Sequence, residues 1–412
     1  MENMLQQEAT NQKFAPYVAD ALECVKLRFV GKDCNIDDAK EYDVEFAHQH
    51  FESEKIVGYK DLKVDVVYSN LTMYSYVNIE HSGDITEVDK TIEPDDIVSL
   101  IRNQYPTGHS AALMAKREAF KVVCDRQKEF QPYGKKVSDL EWNNKKYELY
   151  SVEFGDRKQG FDEYLGRVQT LSLYFIEAAW YTDPTDERFM YYFIYEKEPT
   201  FALAGYVCLY RFYHHPDLVR PRFAQIMVLP PCRRCGFGNK FLEMVYTQLR
   251  SIPDVFDITA EDPADTFLYS RDFLDCKLLK NMKEFGFETL RKGYTKELQD
   301  KIREKAKIGK VQARRVYEVL RYYYVQTQFP EDEEAFEADV KKRIEIPFKK
   351  SSRDSSKLRS ALSDQELSVV NANDNPEDIQ KSVDAIYDST LQEYDVALDR
   401  LTRFEPELFP KC

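Results

Sequence analysis

The spacing of hydrophobic and polar positions changes along the chain and divides it into three regions. Over residues 61–68 apolar and polar side chains alternate, the period-two pattern of a half-buried strand. Residues 15–30 and 36–56 mix apolar and acidic positions, and 36–50 has the character of an amphipathic helix. Residues 1–130 are therefore expected to form an N-terminal α+β domain. Between 160 and 290 strands and helices interleave. A helical stretch near 161–182 is followed by β-rich runs at 189–195 and 201–213, joined by Lys197-Glu198-Pro199 as a hairpin, and by a third run at 222–229. After Pro230-Pro231 comes Cys232-Arg233-Arg234-Cys235-Gly236-Phe237-Gly238-Asn239, then apolar residues at 241, 242, 245 and 249, one face of a helix. Residues 255–260 read as a further strand, and Asp262-Pro263 as an N-cap with proline at the first helical position. This second region, 131–290, is expected to be a mixed central sheet flanked by helices. From 296 onward strand signals fade. Helical periods fill 310–325, 331–346, 354–370 and 376–403, with Pro330, Pro347 and Pro376 as punctuation, so 291–412 is expected to be a helical domain. Ser351 to Ser356 is the nearest approach to a flexible tract. The fold class expected is α+β.

Composition narrows the function classes. With 412 residues the chain exceeds the roughly 250–300 at which one core stops growing. No stretch approaches the roughly 18–20 apolar residues of a membrane span, and the first eight residues carry two acids and no apolar run. Eight scattered cysteines suit a reducing compartment, so a cytoplasmic and nuclear location away from membranes is expected. The net charge of −14 disfavours general nucleic-acid binding and suits either a basic partner or simple solubility. Residues 301–360 are the exception, with 16 Lys+Arg against 10 Asp+Glu. Within them Lys341-Lys342-Arg343, with Lys349, Lys350 and Arg353, reads as a nuclear-import signal, a contact for an acidic partner or a solvated helix end.

The candidate chemistry lies in the glycine loop. A strand that runs into Arg233-x-x-Gly236-x-Gly238 at the mouth of a helix aims unpaired N–H groups and a positive helix end at one point, which suits a phosphate, the alternative being a tight turn that merely needs positive φ. It is not a Walker loop, because no Gly-Lys-Ser/Thr follows, and it lacks the third glycine of a dinucleotide fingerprint. Cys232-x-x-Cys235 invites a metal or redox reading, but no second Cys pair or His cluster completes a zinc site, and no metal is expected. The six histidines, at 48, 50, 81, 109, 214 and 215, are read as structural or surface residues.

Gln225-Ile226-Met227-Val228-Leu229 before the loop and Asp257-Ile258-Thr259-Ala260-Glu261-Asp262-Pro263 after it, taken with the loop, resemble the catalytic subunits of type B histone acetyltransferases, in the GNAT superfamily. The resemblance continues in Phe46 to Phe51, Gly58 to Lys63, Phe175-Ile176-Glu177-Ala178, Gln312 to Glu318 and Lys341-Lys342-Arg343. It implies a GNAT-type sheet and acetyl-CoA as co-substrate. The pyrophosphate arm would lie on Arg233, Arg234, Cys235, Gly236, Phe237, Gly238 and Asn239, with the pantetheine along Ile226, Met227 and Val228. It further implies acetyl transfer to lysines of the N-terminal tail of newly made histone H4, carried with H3, and a WD-repeat histone-binding subunit as partner, for which 36–50 is a candidate docking element. Arg233 takes the first place of the family's motif, and the departure is Arg234 beside it and Cys235 before the first glycine, which makes two arginines available for phosphate contacts.

At a lysine pKa of ~10.4 only about one amine in 10³ is neutral near pH 7, a cost of roughly 4–5 kcal/mol, so a general base is required. The resemblance assigns that role to Glu261, assisted by Glu177 and Asp262. A partly desolvated setting or a neighbouring carboxylate would suit the base. Asp262 is also placed to cap the following helix, and Glu177 to lie on a solvated helix face. Substrate contacts are implied at Glu52, Ser53, Glu54, Phe189, Tyr210, Arg211, Phe212 and Phe273, with core packing the alternative for Phe189 and Phe273. Two rival readings are a non-catalytic histone-binding escort and an N-acetyltransferase for another protein or a small amine.

Overall fold

The computed structural model describes residues 13–106, 108, 112–126, 130–359 and 376–410, and the side chains of all of these except 349–359 and 376. The chain divides into two compact units, Met1–Phe212 with Arg222–Gln248, and Tyr213–Pro221 with Leu249–Cys412. The architecture is α+β, with mixed sheets and C-terminal helices.

The first unit contains two large sheets. One orders Glu41–Asp43, Val25–Val30, Lys63–Ser69, Ser75–Glu80 and Leu113–Met114. It is mixed, because Val25–Val30 runs parallel to Lys63–Ser69, which is antiparallel to Ser75–Glu80. The alternating segment near 61–68 is a strand, but it is buried on both faces rather than one. The polar member of the alternation, Asp65, is buried against the Arg28 guanidinium at 3.0 Å, so a charge pair replaces water on its second face. The other sheet proceeds through Lys135–Trp142, Lys145–Val152, Phe189–Glu196, Ala202–His214 and Leu218–Val228. The hairpin at 189–196 and 202–214 is antiparallel, pairing Tyr192 with Val207 and Phe193 with Tyr206. One apolar cluster, from Val25 and Tyr68 through Tyr164 and Phe193 to Met227, joins both sheets into a common core.

Two helical expectations in this unit are corrected. Residues 36–50 form turns around the short strand Glu41–Asp43 rather than a helix. The Tyr174 carbonyl accepts from the N–H groups of Glu45 (2.9 Å) and Phe46 (3.1 Å), which removes those donors from a helical ladder while Val44, Ala47 and Phe51 stay buried. The stretch near 161–182 ends early, as Phe161–Thr170 followed by Ser172–Phe175.

In the second unit the helices are Asp265–Lys280, Lys296–Ala306, Lys310–Thr327, Glu333–Arg359 and Pro376–Phe404, with shorter turns between. Pro347 does not end a helix: Glu333–Arg359 runs through it, anchored before the proline by the buried stripe Phe336, Val340 and Ile344. The helical period expected at 354–370 begins inside this helix, as does the serine-rich tract, and residues 360–370 lie outside the described part. The basic run is partly absorbed into packing. Lys341 pairs with Glu337 and Asp384, both at 2.6 Å, and Arg343 reaches the fully buried Glu318. The side chains of Lys349, Lys350 and Arg353 are outside the description.

Candidate active site

The strand Leu218–Val228 enters the first unit with alternating burial. Phe223, Gln225 and Met227 face the core, while Ile226 and Val228 are half-buried. Gln225 is fixed from both sides: its Nε2 donates to the Trp180 carbonyl at 2.7 Å, and its Oε1 accepts from Tyr206 at 3.2 Å. The strand ends where the Leu229 N–H bonds the Ala204 carbonyl, and a short 3₁₀ turn, Pro230–Cys232, carries the chain into the loop.

The loop turns through two left-handed residues, Arg234 (φ +61°) and Gly236 (φ +79°), into the helix Phe237–Ser251. Its first helical bond is Lys240 N–H to Gly236 carbonyl, so the N–H groups of Phe237, Gly238 and Asn239 precede the ladder. Arg234, Cys235 and Gly236 are exposed beside them. This donor set fits a pyrophosphate. The two glycines serve different ends. At Gly236 a Cβ would be strained by φ and would come within 3.1 Å of the Trp142 ring. At Gly238 it would meet only Val228 Cγ2, at an ordinary 3.6 Å, so the bare backbone there is left open rather than demanded by packing.

The side chains of the loop differ in their availability. Arg233 is half-buried and already engaged: Nε donates to the Val228 carbonyl at 2.7 Å, Nη1 to Glu45 at 2.5 Å, and the guanidinium lies 4.0 Å from the Phe175 ring centroid. Arg233 ties the loop to the strand end and to Glu45, and Arg234 is the arginine left exposed. Phe237 is core, its ring 4.6 Å from that of Tyr147, so only its N–H faces a ligand. The Cys235 thiol donates to the Cys232 carbonyl at 3.3 Å, and burial pushes the Cys232 thiol up to about 12. Among the described residues no group of three or more His, Cys, Asp or Glu is placed to hold a metal. A cleft of about 330 Å³ opens beside the loop entrance, lined among others by Tyr42, Lys145, Glu196, Pro231 and Cys232.

Sequence reasoning missed Trp142. The turn Asn143-Asn144, left-handed at both residues, reverses the strand Lys135–Trp142 into Lys145–Val152. It leaves the Trp142 indole N–H donating to the Cys235 carbonyl at 3.0 Å. The ring thereby supports the loop from beneath Gly236. Nothing in the local pattern around residue 142 signals this, because its partner lies 93 residues away.

The remaining expected site residues fall in both units. In the first, Glu177 is exposed in a turn after Ser172–Phe175, with Ala178 left-handed next to it, rather than on a helix face. Glu52, Ser53 and Glu54 form a 3₁₀ turn in which Glu54 accepts from the Ala47 N–H at 3.2 Å, leaving Glu52 and Ser53 exposed. Phe189 is core, packed between Trp180 and Tyr210. Tyr210 and Phe212 stand 4.6 Å apart and are covered by Arg188 and Arg222 respectively. Arg211 is engaged by Glu153 at 3.0 Å and the Glu187 carbonyl at 2.9 Å.

In the second unit Phe273 is buried on the helix Asp265–Lys280, against Phe404. Glu261 and Asp262 are both exposed just after the two-residue strand Thr259–Ala260, so Glu261 does not have a desolvated setting within its unit. Asp262 is left-handed (φ +33°) and does not cap the helix. That helix starts at Asp265 with Ala264 at the N-cap, and the expected start at Pro263 is corrected. Upstream, Asp257 is buried and held by the Arg220 guanidinium at 2.5 and 3.1 Å, which fixes the approach to Glu261.

Of the histidines, His50 is buried and stacked 4.3 Å from Tyr174, and His214 stacks 3.8 Å from Phe256. His109 lies outside the described residues.

Two protein-family descriptions match the chain: "Histone acetyl transferase HAT1 N-terminus" at residues 17–177 and "Histone acetyltransferase type B catalytic subunit, C-terminal" at residues 271–322. The chain is similar to the type B histone acetyltransferase catalytic subunit of Homo sapiens, 31% identical over 372 residues and covering 87% of each chain. It is also similar to that of Candida albicans, 26% identical over 299 residues, covering 68% of this chain and 70% of the other. Among solved structures, an aminoglycoside acetyltransferase from a soil metagenomic sample is 12% identical and covers 31% of this chain and 84% of its own. Its TM-score of 0.24 is too low to bear on the fold. Identity to the human relative at this level over most of both chains, with family matches in both halves, establishes that the chain belongs to the family of type B histone acetyltransferase catalytic subunits.

Proposed function

We propose that this enzyme transfers the acetyl group of acetyl-CoA to lysine ε-amines in the N-terminal tail of newly made histone H4, by direct attack of the amine in a ternary complex. The observation that carries the reading is the glycine turn, which presents the N–H groups of Phe237, Gly238 and Asn239 and the exposed Arg234 at the start of a long helix. These groups bind and orient the pyrophosphate, and the strand backbone at Ile226, Met227 and Val228 lines the pantetheine. Bound acetyl-CoA supplies the activated thioester. Arg233 acts as a positioning residue, locking the loop to the end of that strand and to Glu45.

Glu261 takes the proton from the lysine ammonium as general base, and Glu177 and Asp262 supply negative charge that favours a cationic tail. The exposed Glu52, with Phe212 and Tyr210, offers acidic and aromatic contacts to a Lys- and Arg-rich peptide, which matches the excess of acid in the chain. The H3–H4 pair, a WD-repeat histone-binding subunit and residence in both cytoplasm and nucleus complete the proposal.

The test is steady-state acetylation of an H4 tail peptide by wild type and by Glu261→Gln. Loss of a general base should cost roughly 10²–10⁴ in turnover while acetyl-CoA affinity stays within about twofold. Equal turnover of the two proteins from about pH 6 to about pH 9 would remove Glu261 from the mechanism.

A further inference from the structure

We infer that the helical unit carries a second binding site, for a small organic anion with an apolar body, between the helices Lys310–Thr327, Glu333–Arg359 and Pro376–Phe404. The cavity there measures about 650 Å³, inside the range of roughly 300–1,000 Å³ in which small ligands are bound. Its floor is built on Glu318, a carboxylate with no exposed surface. Arg343 grips it through two hydrogen bonds, at 2.8 and 2.9 Å, while the Arg314 guanidinium and the Tyr394 hydroxyl donate to it as well. Two guanidiniums share one carboxylate, so the forks are held rigidly at the cavity wall. Asp339 takes Arg314 at 3.1 Å, and Arg315, which also lines the cavity, pairs with Glu393 and the buried Asp272, both at 2.7 Å; with Lys310 and Lys342 the lining then holds five cations against three carboxylates. The local excess is cationic in a chain whose net charge is −14.

Two further features specify the other half of the ligand. Val311 is 85% exposed and Ile346 49% exposed, and both line this cavity. Aliphatic side chains left in water at the mouth of a pocket gain when an apolar body covers them. Val311 also sits in the first turn of an 18-residue helix whose N-cap, Gly309, contributes no side-chain bond, so the positive helix end adds to the cationic rim. A half-open cavity among three helices, with a modest charge excess, suits a compact amphiphile better than nucleic acid or an extended chain.

The experiment is calorimetric titration of the full chain, saturated with acetyl-CoA so that the loop site is already filled. Octyl phosphate is the probe. Inorganic phosphate, octyl glucoside and an acidic Leu-Glu peptide isolate charge, apolar body and peptide. Val311→Asp and Lys342→Glu test the location. Both positions are exposed, and an acid in the first helical turn suits the dipole, so folding is retained, as circular dichroism will verify. Saturable binding of octyl phosphate, stronger than that of either half, and weakened about tenfold or more by each variant is the expected result. Equal affinity in the variants, preference for the acidic peptide, or no binding of octyl phosphate overturns the inference.

Discussion

His50 should make the first unit sensitive to acid by an amount that can be worked out from its surroundings. The imidazole is 4% exposed, stacks on Tyr174, and neither ring nitrogen has a hydrogen-bond partner. Burial therefore pushes it down from its ordinary 6.5 to about 3, with the neighbouring His48 adding to the effect. The unfolded chain takes up this proton near pH 6.5 and the folded chain does not until about pH 3. The unfolded state thus binds more protons between those values, and the contribution is fully present above the unfolded value and lost as pH falls. Between about pH 7 and pH 5 the loss is about 2 kcal/mol, at ~1.36 kcal/mol per pH unit over the part of that interval below 6.5. His50→Phe keeps the ring stack and removes the titration. Both tryptophans, Trp142 and Trp180, lie in the first unit, so urea unfolding followed by tryptophan fluorescence reports on that unit. The difference between variant and wild-type free energies should grow by about 2 kcal/mol from neutral pH to about pH 5, the wild type losing stability. Parallel pH curves would refute the reasoning, since every other titrating group is common to both proteins.

Two other substitutions probe the loop and its support. Trp142→Phe removes the indole bond to the Cys235 carbonyl, a contribution of about 0.5–1.5 kcal/mol, so the KM for acetyl-CoA should rise about two- to tenfold with kcat little changed; initial-rate kinetics check this. Gly205→Ala would bring a Cβ within 2.8 Å of the Phe241 ring and 3.1 Å of Ile194, where overpacking costs about 1–3 kcal/mol. Thermal unfolding should show the loss, and Phe241→Leu in the same chain should recover part of it.

The Arg233 clamp shows where sequence reading stops. Adjacent arginines ahead of a glycine loop look alike in sequence, and both invite a phosphate role. The fold separates them, because Glu45, 188 residues earlier, and Phe175 close on one guanidinium while a left-handed backbone swings the other into the open. Phe189 and Phe273 illustrate the same limit, since aromatic residues in a candidate groove and in a core have the same local spacing. Asp262 followed by proline matches a cap signature, yet the chain is still turning there and the helix begins three residues later. The expected helix at 36–50 was likewise a fair reading of periodicity, overruled by donors committed to Tyr174.

What the sequence determined by itself is the order of elements around the loop: the hairpin, the strand into Pro230-Pro231, the glycines, the helix that follows and the helical C-terminal region. These are legible because side-chain periodicity and glycine or proline punctuation act over a few residues. Only the tertiary structure decided which charges are spent on packing, as in Asp65 with Arg28 and Glu318 with Arg343, and which stay exposed, as Arg234 and Glu261 do. The physical reason is that a charge's role depends on the partners and the solvent the fold leaves around it. Those partners are set by contacts tens to hundreds of residues apart, which leave no local trace in the pattern.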